Sequence, residues 1–291
     1  MRAHGRARRA YPPGRRQLVN GLSGSGAPDV DHTRRNRMAD LAALRQELVT
    51  ANRILAKENV LDSFGHISVR HPDNPNHFFM SRARAPEVLT EEDIMEFTLT
   101  GDVVGPTPAP GKPYSERFIH GAIFEARPDV ISAIHNHSPS VIPFSVTGKK
   151  MRPIMHMCAP IGNDIPTWDI RTKFGDTNLL VTNMDMARDL AATLGGRRVS
   201  LMRGHGSVIV GKSIREVVFN ANYMEKNADM LIKALGMGEV EYLSDGEVAI
   251  ADRGRAGFTL ERGWENWCAK VGRPYISNEW EMGPGFSQTD Q

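Results

Sequence analysis

From Asp40 onward the chain repeatedly switches apolar period, and the connections between segments are too short to separate domains. Leu41, Leu44, Leu48, Ile54 and Leu55 recur at helical spacing between Asp40 and Glu58. SFGHISVRHP and NHFFMSR then read as short strands, divided by the turn formers Pro72, Asn74, Pro75 and Asn76. LTEEDIMEFTLTGDVVG reads as an acidic helical turn, a strand and a hairpin, and TPAPGKP as a loop. A helix starting near Ser115 is stopped by Pro128. DVISAIHNH is a strand, SPSVIPFSVTG a short helix or turn, and MRPIM a further strand. NLLVTNMDMARDLAATLGG gives a strand edge and a helix, and RRVSLMRGHGSVIVGKS two strands around a tight turn. SIREVVFNANYMEKNADMLIKALGM is a long helix ending near Gly236. No interior Pro/Gly/Ser linker and no fixed-period repeat interrupts this mixture, which predicts one α/β domain over residues 38–275. GFTLERGWENWCAKVG is its last apolar segment, with Trp264 and Trp267 either filling core, the favoured reading, or covering a neighbouring subunit's site, and residues 276–291 form a flexible tail.

The net charge of +2 hides an uneven distribution. Nine of the 36 basic residues and two of the 34 acids lie in the first 37 positions, so the body holds 27 basic against 32 acidic residues. A mildly acidic body argues against a nucleic-acid partner, which needs clustered Lys and Arg on folded structure. The leader is rich in Arg, Gly and Pro, too poor in apolar residues to bury a core, and is read as disordered. Arg15 and Arg16 form the pair of a twin-arginine signal, but LVNGLSGSGAP lacks the apolar region such a signal needs. Met38, opening MADLAALRQELV, reads as an alternative start. No apolar run approaches a membrane span, and Cys158 and Cys268 have no C-x-x-C spacing, so a cytoplasmic location with no membrane partner is expected.

From Gly206 to Ser213 the chain matches the phosphate-loop pattern G-x-x-x-x-G-K-[ST]. Val208, Ile209 and Val210 in its middle prefer an extended strand to a curled loop. Lys212 and Ser213 then end the strand and cap the next helix, with Glu216 three residues on as in a capping box. The chemistry lies just before that strand, where His205 is held between Gly204 and Gly206 at a sharp turn. In AIHNHSP, His135 and His137 point to one face of a strand, a common start for a metal site, although two polar residues at a strand end is the plainer alternative. Glu116 opens the helix in PYSERFIHG, where an acid either complements the helix dipole or works over a metal. His120, four residues on, shares its helix face and is expected to pack or to support the site.

The order Ser115-Glu116, His135-Asn136-His137, Gly204-His205-Gly206 resembles the class II aldolase and adducin family from about Ala39 to about Leu235. The resemblance implies a three-layer α/β/α single domain with a central mixed sheet, and a homotetramer with active sites between subunits. It also implies one divalent metal ion per chain on His135, His137 and His205, with Glu116 as acid/base. Zinc or manganese is expected, with iron or cobalt also compatible with three imidazoles.

Sugar-phosphate members carry Gly-Asn, Ser-Gly and a pair of serines where this chain has Gly65-His66, Arg82-Ala83 and Tyr114-Ser115. The phosphate cradle is therefore rebuilt, with Arg82, Arg84, Tyr114 and Ser115 as expected substrate-binding residues. An arginine fork matches a carboxylate, and a solvated or ion-paired loop is the alternative for both arginines. Cys158 falls where epimerases carry a catalytic aspartate, which argues against sugar epimerisation. FGHISVRHP with MSRARAP is similar to the branch that decarboxylates hydroxylated aromatic or pyridine carboxylates. That implies a metal-dependent lyase acting on a small carboxylate, with Glu116 or His66 moving the proton. An aldolase on an unphosphorylated substrate is the first alternative, and a metal-free adducin-like scaffold the second.

Overall fold

Alternation within each strand sends successive side chains into two separate cores. In the computed structural model, which describes residues 30–105, 111–253 and 257–277, eight strands form one sheet. These are β1 (His66–Arg70), β2 (His77–Ser81), β3 (Ile94–Thr98), β4 (Val103–Val104), β5 (Ser132–Asn136), β6 (Thr167–Trp168), β7 (Val199–Met202) and β8 (Gly206–Gly211). They run in the order β4-β3-β2-β1-β5-β8-β7-β6. Only β6 and β7 pair in parallel, so the sheet is mixed.

Ile67, Val69, Phe79, Ile134, Leu201 and Ile209 belong to one core, shared with helices α1 (Val30–Lys57), α6 (Ile214–Met237) and α8 (Phe258–Lys270). Phe78, Met80, Ala133, Val208 and Val210 belong to the other, shared with α2 (Arg117–Ala126) and α5 (Met184–Leu194), between which the chain forms the short helices α3 (Ile142–Val146) and α4 (Arg171–Phe174). Helices thus cover both faces, giving the α/β/α layering expected. Trp264 and Trp267 fill the first core. Arg215 on α6 is buried there between Glu47 on α1, at 2.9 Å, and Glu261 on α8, and so ties three helices together. Period-two alternation also sorts the polar residues: His66 and Ser68 on β1, with His135 on β5, face the α2/α5 side.

The chain divides into two units, Met1–Ala39 and Asp40–Gln291. In the first, the backbone is helical from Val30, within the segment expected as a disordered leader. Residues 1–29, residues 106–110 with the start of the expected loop, residues 254–256 and residues 278–291 of the expected tail lie outside the described residues. Ile276 at the start of that tail accepts a hydrogen bond from Arg215 through its carbonyl. Among the described residues no helix is long and apolar enough to cross a membrane.

Two expectations along the chain are corrected, and the phosphate-loop match keeps its reading as a strand and a cap. MRPIM is irregular, because its backbone is bonded to other elements: Ile154 N–H donates to Asn227 Oδ1 at 3.0 Å and Pro153 O accepts from Leu243. NLLVT forms no strand edge, because Leu179 sits at φ 68°, outside extended geometry. The phosphate-loop match Gly206–Ser213 is the wholly buried strand β8 followed by a cap, in which Ser213 Oγ accepts from Glu216 N–H at 3.1 Å.

Candidate metal centre

Four side chains from three separate elements converge on the α2/α5 side of the sheet. His135 lies in β5, His137 just beyond its end, His205 in the turn joining β7 to β8, and Glu116 at the N-cap of α2. The turn depends on glycine: Gly204 sits at φ 64°, and a Cβ on Gly206 would lie 2.0 Å from Asn136 O. That close approach holds the His205 turn against the end of β5. One ligand atom from each of the four residues lies within 4.8 Å of all the others.

The outer hydrogen bonds fix which nitrogen carries the hydrogen in two neutral rings. His135 Nδ1–H donates to Ser207 O at 3.2 Å, and His137 Nδ1–H donates to the Asp62 carboxylate at 3.1 Å. A carbonyl and a carboxylate only accept, so each neutral ring carries its hydrogen on Nδ1 and presents a lone pair at Nε2. Those two lone pairs face each other at 3.1 Å. Two acceptors at that distance repel unless a cation lies between them, so this donor set fits a divalent ion. Glu116 Oε2 stands 3.5 Å from His135 Nε2 and 3.6 Å from His205 Nε2.

The Glu116 carboxyl is buried, yet its side chain does not cap its own helix. Its Oε1 accepts from Val181 N–H at 2.9 Å. Burial pushes its pKa up, but His135, His205 and the Val181 N–H outweigh that and hold it down at about 2. Burial lowers His205 to about 4 and His120 to about 3, and it lowers His137 below the usual imidazole range. His66 is held well below that range, first by burial and then by the imidazoles around it.

The other expected residues surround this cluster unevenly. His66 lies opposite His135 in the β1–β5 register, with ring centroids 5.2 Å apart. The Tyr114 ring is 4.5 Å from the His66 ring, and Tyr114 OH donates to Arg84 O at 2.6 Å, which ties the arginine loop to the site. Arg82 and Arg84 both bind Asp93, at 2.6 and 2.8 Å, so the ion-paired alternative holds in this structure. Ser115 is exposed. Cys158 is fully buried, with Sγ 3.2 Å from Tyr223 O on the α6 side. Sequence reasoning missed Asp62, Val181 and Ser68. Asp62 had a visible signal, since DSFG is an Asx turn in which its carboxylate accepts from Phe64 and Gly65 N–H at 2.9 Å.

Residues 46–232 match the Class II Aldolase and Adducin N-terminal domain family. The chain belongs to the class II aldolase family. Among its relatives is Decarboxylase tropJ of Talaromyces stipitatus, 35% identical over 205 residues, covering 66% of this chain and 77% of that one. The 3,4-dihydroxyphthalate decarboxylase of Terrabacter is 28% identical, covering 79% and 98%. The fold matches L-fuculose 1-phosphate aldolase from Glaciozyma antarctica with a TM-score of 0.69 at 23% identity, over 83% of this chain and 94% of the other. Class II aldolases work with a divalent metal, and the cluster described above could take one. Decarboxylases and aldolases alike break a carbon–carbon bond, and the expectation of a carbon–carbon lyase stands on this kinship.

Proposed function

We propose that this class II aldolase family member decarboxylates a small hydroxylated aromatic or heteroaromatic carboxylate with the help of a divalent metal. The observation that carries the reading is the pair of Nε2 lone pairs 3.1 Å apart, beside His205 and an ionised Glu116. The named decarboxylase relatives support the choice of reaction. His135, His137 and His205 would hold the ion, which supplies Lewis-acid polarisation of the substrate oxygens.

The chain's own groups do the rest. Glu116, a carboxylate at neutral pH, accepts the proton of the substrate hydroxyl and returns it to the ring carbon that bears the leaving carboxylate. The C–C bond then breaks, carbon dioxide leaves, and its electron pair stays with the ring. Tyr114 fixes the position of the arginine loop through Arg84 O, so Arg82 or Arg84 could meet a second carboxylate by exchanging Asp93 for it. Tyr114 itself is no acid here, since burial pushes its hydroxyl up to about 12. Ser115, beside Glu116, would contact the same substrate.

The reading keeps residues 38–275 as the catalytic domain, outside the leader 1–37 and the tail 276–291. It assigns a cytoplasmic homotetramer, with mass in solution as the check.

Elemental analysis of chain purified without a metal-binding tag, alongside His205→Ala, tests the metal. About one divalent ion per chain, lost in the variant, is expected; no metal in either protein, even after adding it back, would sink the reading. Product analysis then separates the reactions: carbon dioxide without an aldehyde means decarboxylation, and an aldehyde means the aldolase alternative.

A further inference from the structure

Behind the metal cluster runs a second chain of polar groups, all fully buried. Ser68 Oγ lies 2.5 Å from His120 Nδ1, and His120 Nε2 lies 2.7 Å from His66 Nδ1. Ser68, His120 and His66 are each 0% exposed. At the end of the chain, His66 Nε2 is buried with no hydrogen-bond partner among the described residues.

Counting hydrogens along the chain decides its direction. Ser68 Oγ carries one hydrogen, and among the described residues its side-chain partner is His120 Nδ1. If that nitrogen accepts from Ser68, His120 carries its own hydrogen on Nε2 and donates to His66 Nδ1. His66 Nδ1 is then an acceptor, so the His66 hydrogen is on Nε2. The reverse direction would leave the Ser68 hydrogen buried without an acceptor, which the interior penalises.

We infer that His66 Nε2–H is a hydrogen-bond donor to a carboxylate or phenolate oxygen of the substrate, with Ser68 and His120 as positioning residues that keep the hydrogen on that nitrogen. The inference rests on the proposed reaction for the identity of the oxygen, but not for the direction of the chain. Such oxygens only accept, so they match an N–H donor and supply the partner that Nε2 lacks. The His66 ring already stands beside His135, 5.2 Å between centroids, and under Tyr114 at 4.5 Å. A donor fixed before the substrate arrives needs no reorganisation as negative charge grows on the oxygen. His66 is thereby assigned donation of a hydrogen bond, while the proton transfers stay with Glu116.

The test uses the zinc-loaded full chain with 15N-labelled histidine, the His66 signals being assigned by their loss in His66→Asn. Expected is a pyrrole-type Nε2 and a pyridine-type Nδ1 on His66. Ser68→Ala should mix the tautomers of His120 and His66 and lower kcat roughly tenfold or more, with KM little changed and zinc retained. His120→Leu should likewise mix the His66 tautomers and lower kcat, with zinc retained. In His120→Gln an amide N–H can still donate to His66 Nδ1, so the tautomer and most of kcat should return.

A pyridine-type Nε2 in the unaltered chain overturns the inference. So does Ser68→Ala with spectrum and kcat unchanged, or loss of zinc from the His120 variants, which would make the buried chain a support of the metal cluster. Should no hydroxy-carboxylate be decarboxylated, the proposed function fails, and the imidazole spectrum still decides the direction of the chain.

Discussion

Glu116 stands where a helix-capping acid belongs, but its side chain does not bond its own helix. The Val181 N–H takes one oxygen and turns the other toward His135 and His205. Glu116→Gln keeps an acceptor for Val181 and removes only the charge. The variant should therefore retain metal and lose roughly two to four decades of turnover, read as kcat at equal metal content; an unchanged kcat would remove Glu116 from proton transfer. Asp62 makes a separable contribution, because it holds His137 Nδ1–H and, in the same carboxylate, the Phe64 and Gly65 N–H groups. Asp62→Asn preserves an acceptor for the turn and loses the negative charge behind the imidazole. Metal affinity should fall by roughly 10- to 100-fold in a chelator competition, with unfolding little affected. The His135, His137 and His205 cluster was legible in the sequence because strand period and a glycine-flanked turn are local patterns. The contribution of Val181 was not, since a backbone N–H has no residue signature and its partner is 65 residues away.

Among the elements, the approach of β8 to β5 matters most, since it joins the His205 turn to the strand bearing His135. Gly206→Ala would put a methyl group 2.0 Å from Asn136 O, a backbone atom that cannot swing aside. The loss in unfolding free energy should be about 1–3 kcal/mol, with weakened metal binding as the two histidines separate. Gly196 has nothing within 4 Å of its added Cβ and no positive φ, so Gly196→Ala should stay within about 0.5 kcal/mol in the same denaturation assay. The long elements were readable for the reason that makes this test clean: β5, β8 and α6 carry their own apolar period. The two-residue strand β6 was missed because it is held by tertiary contacts, the parallel pairing of Thr167 and Trp168 with Leu201 and Met202 and the bond from Trp168 to Asp189. Helix α7 (Asp245–Arg253) was missed because none of its residues is fully buried, leaving no apolar stripe to read.

Across the whole molecule, the buried imidazoles tie folding to pH. His66, His120, His137 and His205 are all held below the ordinary imidazole range, with burial the leading cause in each. A histidine whose pKa is lowered by folding is bound to the fold in its neutral form. Its contribution is complete above the unfolded value of about 6.5 and is lost as pH falls toward the folded values. Those lie at about 4 for His205 and about 3 for His120. Glu116, lowered to about 2, acts in the same direction further down: its contribution is present above the unfolded carboxylate range and lost below it. Glu47 and Glu225 oppose this, since burial raises them and folding favours their protonated forms. Two raised carboxyls act against four lowered imidazoles, and the imidazoles respond first on acidification. The Tm of chelator-treated protein should therefore begin to fall just below about pH 6.5 and drop steadily toward about pH 4. Metal-loaded protein should keep its Tm further into that range and then release the ion, because protons and the ion compete for the same Nε2 lone pairs. A chelator-treated Tm that stays level from about pH 7 to 5 would mean that the imidazoles are not held neutral by the fold.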